Sequence, residues 1–408
     1  MMGRIIRTTP PALKRRILAA VHAVETETIN IELSRGRILA ETLRAPHPVP
    51  EMNRTVMDGY AVRHTDLRDA SPKHQVCLRS TENIGAGHAI RNAVPRGSAV
   101  RIMTGAPMPP GTDSIVPVEH VRVEGEKVYF ERPVERFSDV RRTGSEIRRG
   151  QVVLRKGQAV GPAQMAMLAF IDRARVEVHQ RPRVAILTTG DELGPVGEAR
   201  PFGHIPDSNR YGLIGQVESA GCVPVDGGRV GDTPEALLSA LKKVTSRADF
   251  ILTTGGVSAG DFDVVKLLFW KLGGVDLYRL AMKPGKPQAF GQIDGVPFFG
   301  LPGNPVSAMV VFDFLVRPGL RKLAGATDIE LQGWRATIAE DFRKKTRSWE
   351  FPRAIAEEKD GRWRVRPAGS QKSSNLKSMS DADGYLVLSP DAGIPKKGKE
   401  VLFVPFPQ

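Results

Sequence analysis

At 408 residues the chain exceeds what one hydrophobic core can organise, so more than one domain is expected. Its 41% hydrophobic and 25% charged residues exclude wholesale disorder, and no apolar run approaches the roughly 20 residues that span a bilayer. The net charge of +14 favours anionic partners. With aromatics at 6% and basic residues spread throughout, an extended base-stacking surface for nucleic acid is not indicated, and small anions are the better match. The two cysteines, Cys77 and Cys222, offer no metal-ligand spacing and fit a reducing cytosol.

The N-terminus has a basic start and a short apolar stretch, the features of a signal peptide. However, Ile17, Val21 and Val24 recur at helical spacing among charged neighbours, and no small-residue cleavage site stands out. An amphipathic helix and a cytoplasmic protein are therefore expected. The first ~40 residues read as helical, until Pro46–Asn53 breaks the pattern. Short apolar segments between turn residues then run to about Gly150, including a hairpin around Gly125, which predicts a β-rich module. Residues 151–180 return to helix-like text. The simplest arrangement inserts the β module (46–144) into a helical or linker domain made of residues 1–45 and 145–180.

Residues 181–327 change character. Val184–Leu187, Val223–Val225 and Phe250–Leu252 read as buried strands. A helix is expected from about Asn209 to Ala220, stopped by Gly221, and another capped by Asp232 or Thr233 with Pro234 in its first turn. Strands alternating with helices at this spacing predict a doubly wound, mainly parallel α/β domain. From 328 to 408 the text is β again, with Arg362–Val365 after an Asp360-Gly361 turn and Val401–Val404 near the end, a small C-terminal β domain.

In such a sheet ligands sit beyond the carboxyl ends of the strands. There the chain places Thr188-Thr-Gly-Asp-Glu192 and Thr253-Thr-Gly-Gly-Val-Ser-Ala-Gly-Asp261-Phe-Asp263. Their glycines let backbone N–H groups approach a phosphate, and their carboxylates can hold a divalent cation against it. Either loop alone reads more readily as a plain strand-to-helix turn. Two on one sheet reverse that balance. Lys283-Pro-Gly-Lys286 adds cations on a tight turn, and Gly300-Leu-Pro-Gly-Asn304-Pro-Val-Ser307 opens a helix to about Lys322, with Asn304 as a possible N-cap. The set suits a phosphorylated ligand, a divalent cation and a second anion. No GxxxxGK[ST] loop, nucleophile elbow or HExxH motif occurs, and Gly85-Ala-Gly87 lacks the third glycine of a dinucleotide fingerprint.

Met57-Asp-Gly-Tyr-Ala-Val-Arg63, Arg101-Ile-Met-Thr-Gly-Ala-Pro-Met-Pro-Pro-Gly-Thr-Asp113, Val116-Pro-Val-Glu119 and Arg141-Arg-Thr-Gly-Ser-Glu-Ile147 precede these four loops. In this order and over nearly the whole chain, they resemble the MoeA family, which includes the E domain of gephyrin. Ser348-Trp-Glu-Phe-Pro-Arg353 and Gln371–Met379 are weaker matches to the family's last domain, a small β-barrel. The resemblance implies an elongated homodimer with its active site in a cleft shared between subunits. It implies a molybdopterin molybdenumtransferase that takes molybdate and adenylylated molybdopterin, inserts the metal at the dithiolene and releases AMP with Mg2+.

By position in the motifs, the resemblance implies catalytic roles for Asp58, Thr104, Glu192, Asp232 and Asp263. Thr189, Gly190, Gly255, Gly256, Ser258, Lys283, Lys286, Asn304, Ser307, Arg353, Ser373 and Ser374 would bind substrate. Asp191, Glu192, Asp261 and Asp263 would hold Mg2+. A pterin adenylyltransferase and molybdoenzyme-maturation proteins would be partners, with no role for nucleic acid or membrane. The chain departs from the family at Asn53-Arg54-Thr-Val56, where Asp-Asn-Ser-Ala is usual, and at Phe262, where tyrosine is usual. The same α/β fold also serves pterin adenylyltransferases and non-catalytic scaffolds. The β module and C-terminal domain speak against the first, the retained acids and lysines against the second.

Overall fold

A computed structural model describes residues 5–407 except 81, 86, 88–91, 257–273 and 344–346. The chain packs as two compact units, one of Met1–Glu41, Lys156–Met165 and Arg175–Gln408, the other of Thr42–Arg155 and Ala166–Ala174.

The first unit is built on a seven-stranded sheet. Its strand order is Ile5–Thr8, Val275–Leu280, Pro287–Ile293, Val296–Leu301, Phe250–Thr254, Arg183–Thr189, Val223–Val230. Four neighbouring pairs are parallel, and Pro287–Ile293 runs antiparallel to both its neighbours. Alternate residues of the central strands enter different cores, as the two-residue period of a strand requires. Val184, Ile186, Phe250 and Leu252 pack with Leu13, Ile17, Leu213 and Val217. Ala185, Leu187 and Ile251 pack with Leu237, Leu241 and Val244. Burial on both faces explains why these strands read as continuous apolar runs.

The helices around this sheet follow their local chemistry. Ser208–Ser219 starts where the Asp207 carboxylate accepts from the Arg210 N–H at 3.2 Å and stops before Gly221, whose φ is +85°. Thr233, not Asp232, caps Pro234–Thr245, accepting from the Ala236 N–H at 3.2 Å. Asn304 stands at the N-cap position of Pro305–Val311 without a side-chain capping bond. That helix passes through a π-helical turn, Phe312–Val316, before resuming as Arg317–Leu323.

The N-terminal expectation of continuous helix is corrected. Helix covers Pro10–Ala20, whereas Ile5–Thr8 pairs in parallel with Val275–Leu280 and Thr26–Asn30 pairs with Arg175–His179. Of the spaced residues Ile17, Val21 and Val24, only Ile17 lies within the helix, buried with Leu13; Val21 stands at its C-cap and Val24 beyond it, and the flanking β-branched Ile5, Ile6, Thr26, Thr28 and Ile29 favour strand. Likewise, within 151–180 only Pro162–Phe170 is helical, between the strands Val152–Leu154 and Arg175–His179.

The end of the first unit is a closed barrel of Trp334–Ile338, Arg362–Pro367, Arg353–Lys359, Gly384–Val387 and Glu400–Pro405. Its hairpin turns at Asp360 and Gly361, with φ of 54° and 70°, the two left-handed residues a tight two-residue turn needs. In the second unit Gly59–Val62 lies between Val100–Ile102 and Ser114–Pro117 in a four-stranded sheet, and the hairpin at Gly125 joins Val121–Glu124 to Lys127–Phe130. Tyr60, Val62, Leu78, Val116, Val128 and Phe130 form a core there. Among the described residues no helix is long and apolar enough to cross a membrane.

Cys222 is buried against the sheet, and burial pushes its thiol up to about 12, whereas Cys77 is exposed. A thiol needs its thiolate to react. With an aromatic disulfide reagent at pH 8, the folded protein should release one equivalent of thiolate quickly and the second only on denaturation. Two equivalents at the same rate would contradict this packing.

Candidate functional site

The first unit contains a cavity of about 1180 Å3 bordered by the Lys283–Pro287 turn, Pro302–Asn304, Ser307, Arg353 and Gly369–Ser374. The turn is held from below. Gln288 donates from Nε2 to the Gly285 carbonyl at 2.8 Å, and the Leu280 N–H donates to the Lys286 carbonyl at 2.7 Å. Gly285 has a φ of +92°, and a Cβ there would strike Val311 Cγ2, so glycine lets the turn lie on the helix. Lys283 is half-buried, Lys286 is exposed, and neither ammonium has an ion-pair partner among the described residues.

Opposite, Arg353 is 1% exposed and keeps its guanidinium inside the protein. Nη2 donates to the carbonyls of Ser370 at 3.0 Å and Lys372 at 3.2 Å, and Nε and Nη2 both donate to the Ser378 hydroxyl at 3.2 and 3.0 Å. Burial pushes its pKa down to about 10, which leaves it cationic at neutral pH. Gln371 accepts from the Arg353 N–H at 2.9 Å and donates to the Arg353 carbonyl at 3.1 Å, fixing the loop to the strand. The Ser373 carbonyl accepts from the Val306 N–H at 3.3 Å. Two lysines, an arginine, serine hydroxyls and a proline-started helix end can together hold a tetrahedral oxyanion or a phosphate.

A second constellation lies at the carboxyl ends of the central strands. Asp191 and Asp232 cap each other: the Asp191 N–H donates to Asp232 Oδ2 at 3.1 Å and the Asp232 N–H to Asp191 Oδ1 at 3.0 Å. Thr189 Oγ1 donates to the Thr254 carbonyl at 3.4 Å, and a Cβ on Gly255 would collide with the Thr189 carbonyl. Gly190, Glu192 and Gly256 are in the same two loops. Asn209 Nδ2 ties these strand ends to the next loop, donating to Thr254 Oγ1 at 2.8 Å and the Gly303 carbonyl at 2.7 Å. Its Oδ1 is buried without a partner among the described residues.

In the second unit Asp58 Oδ1 accepts from both the N–H and the hydroxyl of Thr104, each at 2.7 Å. The Thr104 N–H, its hydroxyl and then the charge of Arg101 hold the Asp58 carboxyl below the usual carboxylate range. Arg54 donates to the Gly105 carbonyl at 2.8 Å and so restrains the same turn.

The cavity thus gathers Lys283, Lys286, Asn304, Ser307, Arg353, Ser373 and Ser374 from sequence positions nearly a hundred residues apart. Thr189, Gly190, Asp191, Glu192, Asp232, Gly255 and Gly256 lie in loops at the strand ends, and Asp58 and Thr104 form a pair. Ser258, Asp261, Phe262 and Asp263 lie outside the described residues. Sequence reasoning missed Asn209, Gln371, Lys372 and Arg343. The last three line the cavity, and the basic ones were legible as cations near a serine-rich loop. Asn209 carried no such signal.

Replacing Arg353 by lysine should cost about 2–4 kcal/mol, because one ammonium cannot reach two carbonyls and the Ser378 hydroxyl from one position. Chemical denaturation of Arg353→Lys measures this. A loss under 0.5 kcal/mol would show that these hydrogen bonds do not hold the loop.

Comparison with known proteins covers the whole architecture. Residues 9–171 match the model of the MoeA N-terminal region (domain I and II). Residues 185–322 match that of a probable molybdopterin binding domain, and 335–406 that of the MoeA C-terminal region (domain IV). The molybdopterin molybdenumtransferase of Haemophilus influenzae is 34% identical over 385 residues, 94% of each chain. That of Bacillus subtilis is 34% identical over 380 residues, 92% of this chain and 88% of the relative. The crystal structure of the molybdopterin biosynthesis moeA protein from Pyrococcus horikoshii OT3 superposes with a TM-score of 0.85 at 27% identity, covering 99% of this chain and 100% of that one. With its three regions in the same order and this coverage, the chain belongs to the MoeA family of molybdopterin molybdenumtransferases.

Proposed function

We propose that this molybdopterin molybdenumtransferase inserts molybdate into adenylylated molybdopterin and releases AMP, with Mg2+ as cofactor. The observation that carries the reading is the cavity that sets Lys283, Lys286 and Arg353 around serine hydroxyls. Molybdate is a dianion and the pterin carries a terminal phosphate, so both need fixed positive charge held partly away from water. Arg353 is held by neutral oxygens, and its charge remains available to the cavity.

The Mg2+ element rests on Asp191 and Asp232. Each carboxylate uses one oxygen to cap the other's peptide and keeps a second for a ligand. Mg2+ commonly takes one or two carboxylates and completes its shell with water and phosphate oxygens, so the pair fits it. Bound there, the ion would neutralise charge on a substrate phosphate. Asp58, held ionised by Thr104, would orient the substrate as a hydrogen-bond acceptor. The reading includes a cytoplasmic homodimer as the working unit, checked by sedimentation.

Purified protein given adenylylated molybdopterin, molybdate and Mg2+, without ATP, should release AMP and yield metal-loaded pterin. AMP appearing only when ATP and free molybdopterin are supplied would move the chain to the preceding, adenylylating step. In the same assay Asp58→Asn should fold normally and insert metal at least tenfold more slowly, since its loss removes a charge-assisted hydrogen bond of about 1.5–3 kcal/mol. Lys283→Gln or Lys286→Gln should weaken molybdate or pterin binding by roughly ten- to hundredfold with little change in thermal stability. Wild-type affinity for both ligands in both variants would place the anion site elsewhere.

A further inference from the structure

The two walls of the anion cavity come from different parts of the first unit: the α/β loops carry Lys283, Lys286, Asn304 and Ser307, and the barrel carries Arg353 and Ser370–Ser374. Their separation fixes whether one anion can touch both. Backbone pairing of Met282–Lys283 with Trp349–Glu350 ties them at one edge. A buried side-chain network ties them underneath.

Asp313 stands in the π-helical turn and is buried. Its Oδ1 accepts from Gln216 Nε2 at 2.9 Å, and its Oδ2 accepts from the Tyr385 hydroxyl at 2.7 Å. Gln216 belongs to the α/β layer, whereas Tyr385 is on the barrel strand Gly384–Val387, directly opposite Arg353 in the register of strand Arg353–Lys359. The Tyr385 ring packs on Phe314 at 5.2 Å and Phe406 at 4.7 Å. Thus the helix that begins at Asn304 and Ser307 on one wall reaches, through Asp313 and Tyr385, the strand position facing Arg353 on the other.

The network has features that plain core packing would not require. Burial pushes Asp313 up to about 6, so the carboxylate is held at a cost that an apolar residue would avoid. The Tyr385 hydroxyl is pushed well above 10 by burial and then by Asp313, which keeps it a donor. π-Turns occur often at functional sites, where the extra residue per turn redirects side chains.

We propose that Asp313 and Tyr385 are positioning residues: their hydrogen bond sets the distance of Arg353 and the Ser370–Ser374 loop from Lys283, Lys286 and Ser307, and so tunes the cavity for a tetrahedral dianion. The ligand part of this inference rests on the anion reading above, whereas the geometric part does not.

The test uses the whole protein and two readouts: molybdate binding by calorimetry, and the Arg353 Nε–Hε NMR signal without ligand. Tyr385→Phe keeps the ring contacts and removes only the hydroxyl. It should raise the molybdate Kd on the order of tenfold and shift the Arg353 signal. Asp313→Asn should do likewise, with the double variant no worse than either single one, as expected for one shared interaction. Gln216→Met removes the other hydrogen bond to Asp313, and with it the one that Gln216 Nε2 donates to the Met309 carbonyl at 3.1 Å, without touching the barrel. It should lower thermal stability about as much as Tyr385→Phe while leaving the Arg353 signal in place and the molybdate Kd within about twofold. An unmoved Arg353 signal in Tyr385→Phe, or equal effects of Gln216→Met on both readouts, would overturn the proposal. If the wild-type protein takes up no molybdate, the anion reading fails, and the Arg353 signal alone still decides the positioning role. If Asp313→Asn does not fold, Tyr385→Phe against Gln216→Met carries the same comparison.

Discussion

A guanidinium taken out of water needs oxygen atoms to receive its N–H groups, and among the described residues Arg353 Nε and Nη2 find theirs without a carboxylate. Two carbonyls and a hydroxyl surround it instead. This has two consequences. The Ser370–Ser374 loop must present its peptide oxygens inward, which sets its path, and Gln371 fixes that path by bonding both peptide groups of Arg353. The positive charge is also not cancelled internally.

Cations outnumber the carboxylates Asp341 and Glu350 on the cavity, and the Asp191–Asp232 pair sits at the carboxyl ends of the strands, each of those aspartates occupied with the other's peptide. Asn209 holds the end of strand Phe250–Thr254 to the loop at Gly303. Its buried Oδ1, without a partner among the described residues, carries an unmet hydrogen-bond acceptor at the junction of the loops.

Legibility in the sequence followed the physics of each element. The strands Arg183–Thr189 and Phe250–Thr254 are buried on both faces, so their apolar runs were plain, and the glycine turns at Gly125 and Gly361 were readable because left-handed backbone narrows the choice of residue. Ile5–Thr8 was lost because four residues have no period of their own and its pairing partner lies some 270 residues away. The cation cluster of the cavity was visible in outline from Lys283-Pro-Gly-Lys286, with Arg353 named from the family resemblance, whereas Lys372 and Arg343 were missed. Amide clamps such as Gln371 and Asn209 were not visible, since glutamine and asparagine acquire these roles only from the backbone groups that folding brings to them. The choice of Thr233 over Asp232 as cap was likewise open, because both side chains can accept from the helix N-terminus, and the reciprocal bond to Asp191 removes Asp232 from that duty.

The departure from the family at Asn53-Arg54 shows how a charge can be added beside a functional turn without disorder. Arg54 pairs across the ladder with Arg141, and two like charges directly opposite would repel. The structure sends them apart: Arg141 reaches Glu146 at 3.0 Å, and Arg54 turns to the Gly105 carbonyl at 2.8 Å. Asn53, standing where the family usually has a carboxylate, accepts instead from the N–H and hydroxyl of Thr143 at 2.9 and 3.1 Å. Arg54 therefore acts on the peptide next to Thr104, and Thr104 supplies both hydrogen bonds that hold Asp58 ionised. Its influence on the chemistry is transmitted through the shape of that turn. An uncharged residue able to donate to the same carbonyl would preserve the Asp58 environment, whereas an apolar one would leave the carbonyl without this donor and free the turn to move.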